Sequence, residues 1–292
     1  MDIRQVDVCD DVELKRFYEV TERAEAFERP HHSGWSLVAQ IVTRLAQEGR
    51  TTMVTESSYP LDRREDHPHR RFAEANGFTV AIDEIRRILP LPMDPALSQT
   101  LAIEAAPHHP AYRIESFVDA LPDGLLASYC GLSNQLGVDA PTGDVEFEPE
   151  SMTPELWIER VAKEKEMGRT RFTTVAIDGT GNVVAYTDLI LPPVPSPDVW
   201  QWGTLVHRDH RGHRLGMAVK VRNLQQLTAA GSGRVRVLTC NAETNRHMVD
   251  INVRLGFEAI EVCPMLELRI DAVGKTTRER TEQRAQVSAA TT

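Results

Sequence analysis

The chain has 292 residues, a formal net charge of −10 at pH 7 and a sequence pI near 5.5. This length can bury one large core or two smaller ones. The acidic balance argues against nucleic acid or an anionic membrane as the main partner, because both call for basic surface. Cys9, Cys130, Cys240 and Cys263 stand far apart without CxxC or Cys/His metal spacing, so the expectation is reduced thiols, no metal and a cytoplasmic location. Met1–Asp7 has neither a basic nor an apolar leader-like segment, and no apolar run reaches the roughly 18 residues of a membrane span.

In chain order, a helix is expected over about Val12–Phe27, followed after Trp35 by a second in which Leu37, Ile41 and Leu45 share a face. Gly49–Thr55 turns toward a strand, and Ala75-Asn76-Gly77-Phe78 has the form of a helix end. The histidines of His31-His32, His67-Pro68-His69 and His108-His109 have no carboxylate or cysteine at ligand spacing, so a metal site is not expected. A strand near Tyr112–Val118 and a helix over Pro122–Gly137 come next, then a turn carrying Asp139 and Asp144, and a helix over Pro154–Met167. Phe172–Asp178 and Val183–Leu191 are apolar runs flanking the hairpin turn Gly179-Thr180-Gly181-Asn182. A strand at Val199–Leu205 leads through a loop to a helix over Leu215–Ala229, with Met217, Val221 and Leu224 on one face and Gly231-Ser232-Gly233 as its stop. A strand over Arg234–Thr239, a helix with Met248, Ile251 and Leu255 closed by Gly256-Phe257, and a strand ending near Ile270 complete the pattern. The residues after about Lys275 are polar and aperiodic, as in a disordered tail.

The chemistry concentrates in Val206-His207-Arg208-Asp209-His210-Arg211-Gly212-His213-Arg214-Leu215-Gly216. A strand ends here and a helix begins, and the first N–H groups of a helix have no partners within it. Gly212 and Gly216 allow close approach to the backbone, and Arg211 and Arg214 add positive charge, a combination suited to a pyrophosphate.

This segment resembles the acetyl-coenzyme A signature Val-x-Pro-x-x-Arg-Gly-x-Gly-Leu-Gly of the GNAT N-acetyltransferase superfamily, with Arg208 in place of Pro and Arg214 in place of the middle Gly. Asn245 through Gly256-Phe257 is similar to a second motif of the family, Asn…Leu-Tyr-x-x-x-Gly-Phe, with Asn252 at the usual Tyr position. The resemblance implies an α/β fold with a mixed central sheet flanked by helices. It also implies acetyl-CoA as cosubstrate, held by Leu205, Val206, His207, Arg211, Gly212, His213, Arg214, Leu215, Gly216 and Asn245. Asn245 serves equally well as a helix N-cap. Direct attack by the primary amine of a small molecule on the thioester is implied, with Asp188, His207 and Glu243 as candidate bases. Asp139 and Asp144 are candidates for binding the amine, although a capped turn explains them too.

Gly49–Thr55 parallels Gly233–Thr239, and Asn76-Gly77-Phe78 parallels Leu255-Gly256-Phe257. The chain therefore resembles tandem GNAT proteins, with a degenerate, shortened unit over 1–107, a catalytic unit over 108–272 and a tail over 273–292. The short span from Phe27 to Ser36 leaves no room for three strands, so one acetyl-CoA per chain is expected, in a monomer or homodimer. The competing expectation is an acyl-CoA-binding sensor or scaffold with little or no turnover, favoured by Asn252 and Arg214.

Overall fold

A computed structural model describes residues 33–139 and 151–270. The helix expected over Val12–Phe27, Cys9, the pair His31-His32, Asp144 and the tail over 273–292 lie outside the described residues. The chain divides into two compact units, one comprising Met1–Thr55, Arg70–Thr79 and Leu266–Thr292, the other Glu56–His69 and Val80–Met265.

The first unit holds α1 (Ser33–Gln47), most of β1 (Thr52–Glu56) and most of α2 (Pro68–Ala75). Gly49 follows α1 with φ +73, and Gly77 follows α2 with φ +85, a backbone that glycine adopts without steric cost. The Phe78 N–H then donates to the Ala73 carbonyl at 3.0 Å. The strand tip after Leu266 joins this unit, where the Ile270 N–H donates to the Thr51 carbonyl at 2.8 Å.

The second unit is built on a sheet of β3 (Thr79–Pro90), β4 (Arg113–Val118), β5 (Thr170–Ile177), β6 (Val183–Leu191), β7 (Asp198–Val206), β8 (Arg236–Ala242) and β9 (Glu258–Arg269). Its strand order is β9-β3-β8-β7-β6-β5-β4, with the short β2 (Tyr59–Pro60) paired to β9. Strands β4 to β7 are antiparallel, β7 and β8 run parallel, and β3 is antiparallel to β8 with Glu84 opposite Ala242. One face is covered by α3 (Pro95–Ala105), α7 (Leu215–Ala229) and α8 (Arg246–Leu255), whose Leu101, Leu224 and Leu255 pack with Leu189, Val199 and Val237 of the sheet. The other is covered by α4 (Asp123–Ser133) and α6 (Pro154–Glu166), where Leu126, Tyr129 and Trp157 meet Val175 and Tyr186. Every residue of β6 is buried because helices lie on both sides of it. At about 1.5–3 kcal/mol per large apolar side chain, this double cover is the main source of stability. Asn223 of α7 stitches the layers, its amide donating to the carbonyls of Phe172 at 3.0 Å and Thr187 at 3.2 Å.

From Tyr112 to Ile270 the expected order of elements matches the structure, and the helix over Leu215–Ala229 has the expected ends. Three elements were not expected, the two-residue β2 being the smallest. Strand β3 was concealed by its charges, since Asp83, Glu84, Arg86 and Arg87 interrupt the apolar alternation. Helix α3 has a clear start signal in Asp94-Pro95, where Asp94 caps the Ala96 N–H at 2.9 Å. The single helix expected over Pro122–Gly137 is two, α4 and the four-residue α5 (Leu136–Asp139). It breaks at Asn134, whose side chain exchanges two hydrogen bonds with the Met152 backbone at 2.8 and 3.0 Å.

Candidate functional site

Strands β7 and β8 pair only where Asp198–Trp200 lie beside Arg236–Leu238, and beyond that point they part. On its other edge β7 carries an irregularity, because Thr187 faces Thr204 while Leu189 faces Gln201. The extra residue falls at Trp202-Gly203 and forms a bulge, a local device that re-aims backbone groups. The Gln201 amide fills it, donating to the Thr187 hydroxyl at 3.0 Å and the Asp188 carbonyl at 2.8 Å. Gly203 makes room here, since a Cβ would lie 2.8 Å from the Tyr186 hydroxyl and 2.9 Å from Leu136 Cδ2 and would force those side chains to shift. The parted strands open a cavity of about 440 Å³ lined by Trp200, Trp202, Gly203, Cys240, Asn241 and Asn245, together with Glu56, Glu84 and Lys220.

The loop after β7 forms a cradle. The side chain of His207 opens a short turn over Arg208–His210, its Nδ1 accepting from the Asp209 N–H at 3.3 Å. Gly212 has φ +86 and nothing within 4 Å of where a Cβ would stand, so its face is open to a ligand. Arg214 has φ +51 and ψ +22. Arg214 thus carries a side chain on left-handed backbone, at a cost of about 1–2 kcal/mol. Such strain is found at functional sites. Helix α7 starts immediately afterwards, presenting its unpaired first-turn N–H groups and its positive dipole end. Gly216 is a packing glycine, because a Cβ would meet Ile251 Cδ1 at 3.1 Å. The open Gly212 face and the first-turn amides of α7 are groups of the kind that hold an anion.

The arginines are engaged by the protein. Asp139, at the end of α5, takes Arg208 at 2.8 Å and Arg211 at 2.7 Å, and its side chain is only 8% exposed. Arg214 reaches the Glu104 carbonyl at 3.1 Å. The carboxylate expected to meet an amine thus organises the cradle. Arg208 and Arg211 converge on the Asp139 carboxylate and Arg214 turns to Glu104, which leaves the amides of the loop and of the start of α7 for an anion.

Of the three candidate bases, none lines the cavity. Asp188 is 4% exposed and fully engaged, accepting from the Tyr129 hydroxyl and the Thr173 hydroxyl at 2.6 Å each and pairing with Arg171 at 3.0 Å. His207 lies at the mouth of the cradle, and Glu243 pairs with Arg64 at 3.1 Å on the surface. Leu205 and Val206 pair with β6 opposite Tyr186 and Ala185. Asn245 caps α8 by accepting from the Met248 N–H at 3.4 Å, and it is also among the residues that line the cavity. Asn252 is wholly buried, its amide donating to Asn241 Oδ1 at 2.6 Å and its own oxygen without a partner among the described residues.

Three ionisable residues of the cavity wall have no motif in the sequence to mark them, Glu56, Glu84 and Lys220. Glu84 is brought in by β3, and burial together with the neighbouring Glu56 raises its pKa above the usual carboxylate value. Lys220 projects from α7 and is 1% exposed, with its ammonium 5.7 Å from the centre of the Phe257 ring. Burial lowers its pKa to about 7. An interruption by charge at a single position of an apolar helix face was the signal for Lys220. Among the described residues no group of three His, Cys, Asp or Glu side chains is arranged to hold a metal, and no helix is long and apolar enough to cross a membrane.

No family model matches the chain, and no curated sequence matches it. Among solved structures, it is similar to a tandem GNAT protein from the clavulanic acid biosynthesis pathway, with 23% identity, a TM-score of 0.58, and coverage of 83% of this chain and 71% of that one. A GCN5-related N-acetyltransferase from Kribbella flavida matches at 18% identity and a TM-score of 0.46, covering 80% and 74% of the two chains. Another from Sphaerobacter thermophilus matches at 14% identity and 0.45, covering 82% and 70%. With a mixed sheet parted at one parallel pair, and a glycine loop leading into the helix beside that gap, the chain has the fold of the GNAT N-acetyltransferases.

Proposed function

We propose that the protein is an N-acetyltransferase that binds acetyl-CoA and passes its acetyl group to the primary amine of a small molecule by direct attack in a ternary complex. The observation that carries this reading is the cavity between the parted strands β7 and β8, together with the open Gly212 face on the loop that follows β7. That arrangement holds a donor thioester against a cavity whose walls carry the groups for proton transfer. Positioning supplies most of the rate, because two reactants fixed in a near-attack geometry react as one molecule. A protonated amine must lose a proton before attack. Glu84, with its raised pKa and its place in the cavity wall, takes that role in this reading. Trp200 and Trp202 beside it offer aromatic faces to a cationic acceptor. In this reading the first 107 residues retain a degenerate GNAT-like repeat, of which Glu56–His69 and the stretch from Val80 onward are built into the second compact unit, and each chain binds one acetyl-CoA.

The test is release of free thiol from acetyl-CoA across a panel of amines, with calorimetric titration of acetyl-CoA. Saturable binding near one per chain, with amine-dependent thiol release, supports the proposal. Two equivalent sites, or no binding, overturns it. Glu84→Gln should lower kcat and remove the acidic limb of the pH–rate profile. A second reading, an acyl-CoA-binding sensor, is favoured by Asn252, which is buried where the family pattern has a tyrosine. Tight binding without turnover for any amine selects it.

A further inference from the structure

We infer that Lys220 is the proton donor to the sulfur of coenzyme A, the wall of the cavity supplying from α7 the group that α8 does not supply through Asn252. The inference rests on the acyl-CoA reading of the cavity. Lys220 is 1% exposed and lies in the cavity wall with Asn241 of β8 and Asn245 at the start of α8. No carboxylate pairs with it among the described residues, and its nearest recorded partner is the Phe257 ring at 5.7 Å. A buried ammonium without a counter-charge is costly, and a methionine fills the same volume at no electrostatic cost. A lysine kept at such a place answers to an anion that comes and goes. A departing thiolate is such an anion, and it forms where β7 and β8 part.

The step balances as follows. The amine nitrogen bonds to the acetyl carbon, the carbon–sulfur bond breaks, and its electron pair goes to sulfur. A proton on Lys220 Nζ moves to that sulfur, and solvent returns a proton to the neutral lysine. Burial alone tunes Lys220 downward, to about 7, below a thiol near 8.5, so the proton passes from the stronger acid to the thiolate. Glu56, Glu84 and Cys240 are the other ionisable groups of the cavity wall, and no charge–charge effect from them contributes to its shift. Asn252 is not an alternative donor, since an amide does not release a proton in this range and its amide is already committed to Asn241 at 2.6 Å.

The experiment needs no knowledge of the acceptor. Coenzyme A and desulfo-coenzyme A are titrated into the full chain and into Lys220→Met and Lys220→Arg, and the ultraviolet thiolate band of bound coenzyme A is followed with pH. In the wild type the bound thiol should begin to titrate below its free value in a broadened curve, because Lys220 loses its own proton over the same range, with a gain in thiolate of about two- to threefold near pH 7.5. Lys220→Met should abolish that shift while desulfo-coenzyme A binds within about twofold of wild type, and Lys220→Arg should retain a shift. A bound thiol that titrates at or above its free value in the wild type overturns the proposal whether or not Lys220→Met folds. An unchanged shift in a folded Lys220→Met also overturns it. Failure of both coenzymes to bind the wild type instead refutes the acyl-CoA reading on which the proposal stands.

Discussion

Replacing Asp188 by asparagine separates a structural carboxylate from a catalytic one. Asp188 accepts from Tyr129 and Thr173 at 2.6 Å each and pairs with Arg171 at 3.0 Å. Arg171 is also held by Glu164 through two bonds of 2.9 and 2.6 Å. An asparagine keeps the shape but turns one acceptor into a donor, which must then face a hydroxyl or the guanidinium. Removing one member of a buried ion pair costs about 3–5 kcal/mol, and because Arg171 keeps Glu164 the lower end, about 3 kcal/mol, is expected. At about 2–4 °C per kcal/mol for a chain of this size class, Tm should fall by about 6–12 °C. Tyr129→Phe and Thr173→Val, each deleting one bond to a charged acceptor, should cost about 1.5–3 kcal/mol. Urea unfolding with an unchanged m-value, alongside calorimetry of acetyl-CoA, reads both quantities. Asp188→Asn should lower the urea midpoint and leave acetyl-CoA affinity at 25 °C nearly intact. A variant with wild-type stability and abolished acetyl transfer would refute the argument and return Asp188 to the role of base.

Gly203→Ala should destabilise the protein by about 1–3 kcal/mol through overpacking against Tyr186 and Leu136, and should raise the acetyl-CoA dissociation constant as the bulge shifts, as measured by urea unfolding and calorimetry. Gly212→Val meets no neighbour, so its effect should come from the φ of +86 and the loss of the open face. Weakened acetyl-CoA binding with little change in Tm is expected, and His69→Ala serves as the control. A chain starting at Pro110 lacks β3 and leaves one edge of β8 bare, so it should be insoluble or inactive on expression and gel filtration. Wild-type stability should rise with pH from about 7 toward the unfolded lysine value of 10.5, because in that window the unfolded chain binds a proton on Lys220 that the native state lacks. The slope is at most about 1.4 kcal/mol per unit, and its loss in Lys220→Met is measurable as urea midpoints at pH 7 and 9.

The second half of the chain was readable because its signals are local. Strand alternation, the Gly179–Asn182 turn, the Asn245 cap and the Gly256 stop each act within a few residues, and the structure has an element boundary at each. Gly77-Phe78 and Gly256-Phe257 share one local geometry, since both phenylalanine N–H groups close a helix by donating to the carbonyl five residues back at 3.0 Å. The walls of the cavity were not readable. Glu84 enters through a strand that pairs far along the chain, and Lys220 sits on a helix face where a single charge among Met217, Val221 and Leu224 looks like a flaw in the pattern. Asp188 misled for the opposite reason. A carboxylate in an apolar strand suggests chemistry, and only the fold reveals that a tyrosine, a threonine and an arginine occupy its oxygens.

The insertion of β3 between β8 and β9 bears on how the protein is made. On a ribosome β3 emerges early, whereas both of its neighbours are the last strands of the sheet to be synthesised. Through most of translation this segment has two open edges, and long-range pairing of this kind is slow. Its sequence suits the wait: Asp83-Glu84 and Arg86-Arg87 break the apolar run into pieces too short and too charged to stack on another copy. The charges that disguise the strand in the sequence thus guard the nascent chain until Ala242 and its neighbours arrive to receive it.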